Sequence, residues 1–211
     1  MSYKIDIFNQ KGDKVKAIDL DNAVFAEENI NNDLMYQFVR MQQANARVAI
    51  ASTKNRWEIN GSNKKLYKQK GNGTGRVWDK KSPLRKKGWV AWGPRSDRNF
   101  SLTMPKKMRK ASLRSALSFR ASQEGILGLD SFDTTSISTK SALSVLKNIG
   151  LDRSILVVTH DSFDTIKSYR NIPFVEIVDA AYVSVFDILK ARKVLFIGEA
   201  LEKIVEYTKK I

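Results

Sequence analysis

Residues 152–198 read DRSILVVTHDSFDTIKSYRNIPFVEIVDAAYVSVFDILKARKVLFIG, and their pattern decides the fold class. Three largely apolar runs, at residues 155–158, 174–178 (with Glu176 inside it) and 194–197, are separated by helical stretches at 162–169 and 183–191. Short apolar runs that do not alternate with polar residues read as strands buried on both faces, as in a parallel sheet covered by helices. Their alternation with helices implies βαβ units with right-handed crossovers. Working outward, the pattern continues upstream with a strand at Ile126–Leu129 and a helix at 141–149. Downstream lies a helix at 199–209 that turns Leu201, Ile204 and Val205 to the core.

Further from this stretch the chain remains readable, then stops being so. Tyr3, Ile5 and Ile7 alternate with polar residues as a half-buried strand, and residues 9–13 supply a turn around Gly12. Residues 15–20 can pair back as a second strand. Asn31, Asn32 and Asp33 are N-cap candidates for a helix reaching about residue 51, with Leu34, Phe38, Met41 and Val48 on its apolar face. Pro105 suits the first turn of another helix, which Gly125 ends. Lys106, Lys110 and Arg114 form a basic stripe on that helix, while Leu113, Ala116, Leu117 and Arg120 lie on another side. Between residues 52 and 103 neither helical nor strand period persists, because Gly61, Gly71, Gly73, Gly75, Gly88, Gly93, Pro83 and Pro94 interrupt every candidate element. The expected architecture is a single α/β domain over residues 1–211. Residues 1–51 and 104–211 form a Rossmann-like core, a mainly parallel sheet flanked by helices. Residues 52–103 form a long, extended basic loop inserted between two of the helices.

Charge singles out the same region. Residues 47–110 hold nineteen Lys or Arg against Glu58, Asp79 and Asp97, a net of +16, so the rest of the chain carries −1 of the total +15. Such a concentrated basic segment is the footprint of a polyanionic partner, and nucleic acid fits best. No 18-residue apolar run exists and the basic stretch lacks an amphipathic period, so no membrane partner is expected. Aromatics sit among the cations: Arg56-Trp57, Tyr67-Lys68, Arg76-Val77-Trp78, Gly88-Trp89 and Trp92-Gly93-Pro94-Arg95. Four tryptophans argue against a plain disordered tail, and this composition suits phosphate neutralisation with stacking on unpaired bases. Folded back as a hairpin, the segment could reach at most about 85 Å.

Catalytic patterns are weaker. Gly71-Asn72-Gly73-Thr74-Gly75-Arg76 looks like a dinucleotide fingerprint, but no strand precedes it and no helix follows to receive a pyrophosphate. Its glycines better suit close backbone approach to RNA phosphates. His160, the only histidine, follows a strand beside Asp161, where doubly wound sheets place active sites. No cysteine, second histidine or nucleophile elbow accompanies it, and Asp161 and Asp164 read as helix-start residues. A Rossmann-like enzyme using His160 and Asp161, with the basic loop clamping substrate, is the alternative reading. The chain lacks cysteine, so no disulfide or thiolate metal site is possible, and no cofactor or metal is expected. The opening residues have no signal-peptide core, and a cytoplasmic protein is expected.

One family carries these motifs together. Ala51-Ser52-Thr53-Lys54-Asn55-Arg56, Gly61-Ser62-Asn63-Lys64-Lys65, Gln69-Lys70-Gly71, Gly73-Thr74-Gly75-Arg76, Ser82-Pro83, Gly93-Pro94 and Pro105-Lys106-Lys107-Met108-Arg109-Lys110-Ala111 match it, as do Arg170-Asn171-Ile172-Pro173 and Glu199-Ala200-Leu201-Glu202. By these stretches the chain resembles the universal large-subunit ribosomal protein L four family, in its bacterial or organellar form. The resemblance implies a structural, non-catalytic constituent of the large subunit, cytoplasmic and within the ribosome. Its partners would be large-subunit ribosomal RNA, neighbouring large-subunit proteins and the nascent peptide near the loop tip. The tip, formed by Lys68, Gln69, Lys70, Gly71, Gly73, Thr74, Gly75 and Arg76, would help form the exit-tunnel constriction. The wider RNA-binding set adds Lys54, Arg56, Lys64, Lys65, Trp78, Lys80, Lys81, Arg85, Lys86, Lys87, Trp89, Arg95, Lys106, Lys107, Lys110 and Arg114. Some members also repress their own operon, so a free RNA-binding regulator is a third reading. The tip departs from the family pattern: Gly71-Asn72 adds two residues, Val77-Trp78 replaces a second arginine, and Lys86-Lys87-Gly88-Trp89 stands in place of a glycine run.

Overall fold

A computed structural model describes residues 3–132, 137–160 and 162–209, and it divides into two compact units, Met1–Gln43 with Thr103–Ile211, and Ala44–Leu102. The first unit is built on a six-stranded sheet in the order β2-β1-β3-β6-β4-β5. Its strands are β1 (Lys4–Phe8), β2 (Lys14–Asp19), β3 (Ile126–Leu129), β4 (Ile155–Thr159), β5 (Val175–Asp179) and β6 (Lys193–Ile197). β2 pairs antiparallel with β1, and every other neighbour pair is parallel. The hairpin turn is held by Asn9, whose side-chain oxygen accepts from the Lys11 and Asp13 amides at 2.9 and 3.0 Å, with Gly12 at φ +91°. This is the expected α/β fold with a mainly parallel sheet.

The apolar runs form strands because both of their faces are covered. Leu156 and Val158 of β4, with Val194 and Phe196 of β6, enter one cluster with Ile5, Val24, Phe25, Leu117, Ile188 and Ile204. Ile155 and Val157, with Leu195 and Ile197, point the other way onto Val145, Leu146, Tyr169 and Ile172. The period-two alternation therefore feeds two cores rather than a core and solvent. Helices α1 (Asn22–Phe25), α3 (Lys106–Ser122), α6 (Val185–Lys190) and α7 (Ala200–Lys209) cover the first face, and α4 (Thr139–Asn148) and α5 (Phe163–Tyr169) cover the second. Each fully buried aliphatic side chain contributes about 1.5–3 kcal/mol, so the two clusters dominate this unit's stability.

Local chemistry sets the helix ends. Ser184 caps α6 in a capping box with Asp187, and Ser138 caps α4 through the Ser141 amide. Asp21 caps α1 by accepting from Ala23 at 2.9 Å and also meets Lys209. The Lys209 ammonium, followed by the Ala23 amide, holds the Asp21 carboxyl below its usual range. Arg120 closes α6 from outside: its Nε donates to the Ile188 carbonyl at 3.0 Å and Nη2 to the Leu189 carbonyl at 2.7 Å. It thus satisfies carbonyls that the helix leaves unpaired.

Helix α2 (Asn32–Ala46) corrects the expectation of a helix to residue 51. The Arg47 amide makes an i→i−3 bond to Ala44, and Val48 and Ile50, beyond it, are exposed. Val48 therefore takes no part in an apolar helix face. With nothing to bury them, these β-branched residues gain nothing from further turns. Asp161 lies outside the described residues. The second unit contains, apart from the end of α2, only turns, bends and isolated hydrogen bonds.

Candidate nucleic-acid interface

Within the second unit, residues 53–94 fold back on themselves. The Thr53 amide donates to the Pro94 carbonyl at 3.0 Å, Val90 to Lys54 at 3.2 Å, and Leu66 to Trp78 at 3.3 Å. The Lys81 ammonium donates to Asn63 at 3.1 Å, and the Tyr67 hydroxyl donates to the Gly75 carbonyl. Ordered from Thr53–Pro94 through Lys54–Val90, Asn63–Lys81 and Leu66–Trp78 to Tyr67–Gly75, the contacts advance along one arm and retreat along the other, so the turn falls near Gly71 and Asn72. No ladder forms, because glycines, prolines and like charges leave no alternating face to bury.

At the base, Glu58 and Arg95 form a clasp. The carboxylate accepts from Arg95 Nη1 at 3.0 Å and Nη2 at 2.9 Å, and from the Asn55 amide at 2.8 Å. The Asn55 amide, then the Arg95 guanidinium, holds the Glu58 carboxyl below its usual range. Arg95 also reaches the Thr53 carbonyl at 3.4 Å. Nearby, the Arg47 and Arg98 guanidinium carbons lie 4.0 and 4.9 Å from the Phe100 ring centroid, and Asn45 exchanges two hydrogen bonds with the Leu102 backbone. Cation–aromatic contact favours both guanidinium groups beside the one ring.

Between the Leu66 and Trp78 closure lies the tip. Lys68, Gln69, Lys70, Gly71, Gly73, Thr74, Gly75 and Arg76 are all exposed. Gly71 and Gly73 need glycine for their φ of +88° and +63°, yet a Cβ at 71, 73 or 75 would meet nothing within 4 Å. The space a side chain would fill at these three glycines is therefore open. Lys54, Arg56, Lys64, Trp78, Lys80, Arg85, Lys86 and Lys87 are exposed as well, and Lys65, Lys81, Trp89 and Arg95 are half-buried. Lys65 lies 5.2 Å from the Trp78 ring centroid and donates to Gln69 at 2.8 Å.

The remaining candidates belong to α3 in the first unit. Lys106 and Lys107 are exposed, and Arg114 is half-buried. Lys110 is engaged with α7: its ammonium donates to the Tyr207 carbonyl at 3.0 Å and lies 4.9 Å from that ring's centroid. Its charge is therefore partly committed to packing. Residue reading also missed a cleft within the second unit, lined by Arg56, Trp78, Asp79, Ser82, Pro83 and Trp89. Its sequence signal was an isolated acid, Asp79, amid cations. Of the alternative enzyme pair, His160 follows β4 half-buried, beside a Thr159–Ser162 hydroxyl contact of 2.6 Å. Among the described residues no group of three or more His, Cys, Asp or Glu could hold a metal ion, and no helix is long and apolar enough to cross a membrane.

Comparison with known proteins matches residues 18–207 to the model described as the Ribosomal protein L4/L1 family. The chain is 36% identical over 200 residues to the large ribosomal subunit protein uL4 of Desulforapulum autotrophicum, covering 95% of this chain and 96% of the relative. It is 36% identical over 204 residues to that of Symbiobacterium thermophilum, and 37% identical over 204 residues to that of Syntrophomonas wolfei. Each of these two alignments covers 96% of this chain and 98% of the relative.

Proposed function

Because this chain belongs to the ribosomal protein L4/L1 family, we propose that it is a structural constituent of the large ribosomal subunit, in the cytoplasm, binding ribosomal RNA through the basic segment. The family is one of ribosomal proteins rather than enzymes. The observation that carries the reading is the coincidence of charge with exposure: the tip and arms present many exposed cations around Gly71, Gly73 and Gly75, whose side-chain space is empty. Phosphate neutralisation with release of counterions supplies the affinity, and the glycines admit a phosphate to the main chain. The exposed indoles of Trp57, Trp78 and Trp92 are free of a hydrophobic core and suited to stacking on unpaired bases.

In this reading the mainly neutral α/β unit anchors the chain among neighbouring large-subunit proteins. The tip, residues 68–76, reaches the nascent peptide at the exit tunnel. The charges of Lys106, Lys107 and Arg114 add a second RNA contact on α3. The test is sedimentation of a tagged chain from lysate on a density gradient. The chain is expected with the large subunit and intact ribosomes at low salt. A chain found only at the top of the gradient under those conditions overturns the reading.

A further inference from the structure

The cleft in the second unit has a chemistry that phosphate binding does not explain. It encloses about 350 Å³ between Trp78, Trp89, Pro83 and Ser82, with Arg56 and Asp79 completing the lining. That lies within the range of roughly 300–1,000 Å³ typical of small-ligand sites. Two indoles and a proline ring stand beside the polar groups of Arg56, Asp79 and Ser82, so the lining joins stacking surface for a flat heterocycle to hydrogen-bonding groups for its edge. Asp79 is only 6% exposed, the one charged side chain so deeply buried among the described residues. One of its carboxylate oxygens accepts from the Lys81 amide at 3.0 Å, and it forms no ion pair among the described residues. A carboxylate offers about four acceptor positions, so one amide leaves most of that capacity unused.

A carboxylate in this place repels a phosphate but suits the edge of a base. Guanine alone among the four RNA bases presents two adjacent donors, N1–H and the exocyclic N2–H, which match the two oxygens of a carboxylate. Adenine and cytosine set one amino donor beside an acceptor, and uracil flanks its single N–H with two carbonyls. We propose that this cleft is a guanine subsite. An unpaired guanine stacks on the Trp78 or Trp89 indole and donates N1–H and N2–H to Asp79, while Arg56 meets its phosphate. This rests on the RNA-binding reading above and goes beyond it by naming one base and the residue that selects it.

The test uses the full chain and short labelled oligouridines with one central guanine, adenine, inosine or 2-aminopurine, followed by fluorescence anisotropy. Guanine is expected to bind about tenfold tighter than adenine, in the range one good bidentate base contact gives. Inosine and 2-aminopurine each lack one of the two donors and fall between. Asp79→Asn brings guanine and adenine to within about twofold, and Trp89→Phe weakens guanine, inosine and adenine together. If Asp79→Asn loses its fold by circular dichroism, the base series on the unaltered protein decides alone. Steeply salt-dependent binding with no preference for guanine overturns the subsite and leaves the RNA-binding reading standing. Absence of salt-dependent binding to any of the oligonucleotides overturns both.

Discussion

Neutralising the loop tip gives the most quantitative handle on the RNA-binding reading. Lys68, Lys70 and Arg76 are exposed and form no ion pair among the described residues, so replacing all three with Gln removes charge without breaking an internal contact. If each neutralises one phosphate, the slope of log K against log salt becomes shallower by about 0.7–0.9 per residue, roughly 2–3 for the three. At about 0.1 M salt the same relation gives a five- to eightfold loss per contact, or roughly 100- to 500-fold for the triple. The assay is binding of a large-subunit RNA fragment between about 50 and 200 mM salt. The control is Lys11, Lys140 and Lys203→Gln on the first unit, which lowers the net charge of +15 by the same amount from exposed positions. The control should leave the slope within about half a unit of the native value. Equal losses from both triples would mean that bulk charge acts and the tip does not. An unchanged slope in the tip triple would refute the reasoning outright.

Other perturbations test the scaffold. The Glu58 carboxyl is held low by the Asn55 amide and Arg95, so the clasp is fully present above the ordinary carboxylate pKa and is lost as pH falls through the depressed folded value. The Asn55 amide shift should therefore titrate below the ordinary glutamate range, and a midpoint within or above that range contradicts the clasp. Arg120→Met removes both donors to the α6 carbonyls and should cost about 2–3 kcal/mol, read as a urea midpoint shift with an unchanged slope. Gly128→Val should cost about 1–3 kcal/mol in thermal unfolding, because even its Cβ would stand 2.9 Å from Ile7 Cγ1 across the β1–β3 pair. In amide exchange, β4 and β6 should be the slowest and residues 60–93 among the fastest, since few backbone bonds hold the latter. Strong protection in residues 60–93 of the free protein would contradict that assignment.

The fold was legible where local pattern and tertiary environment agree. The runs around Leu156, Val157, Leu195 and Phe196 are apolar without alternation because cores lie on both faces, and that alone identifies a covered parallel sheet. Strand order was not legible: β6, last in sequence, lies between β3 and β4, and nothing in residues 193–197 names its neighbours. The end of α2 was misjudged because Ala44 and Ala46 favour helix locally, whereas Val48 and Ile50 find nothing to pack on. The sequence placed Arg120 on the same side of its helix as Leu113, Ala116 and Leu117, but its role as a cap for α6 depends on carbonyls 68 and 69 residues away. At the site, charge and aromatic content located the basic segment, since both are compositional. The Glu58–Arg95 clasp and the burial of Asp79 were hidden because they arise only when distant arms meet. The departure at Val77-Trp78 was visible in the sequence, but that Trp78 lines a cleft was not.

The family makes this chain a large-subunit protein, and its basic segment is proposed to bind ribosomal RNA. An electron cryomicroscopy map of large subunits that contain it tests that claim most directly. Density is expected for residues 53–94 threaded between RNA helices, with phosphates within hydrogen-bond distance of the Lys68, Lys70 and Arg76 side chains. Density that leaves those side chains in solvent, with the segment away from RNA, would contradict it.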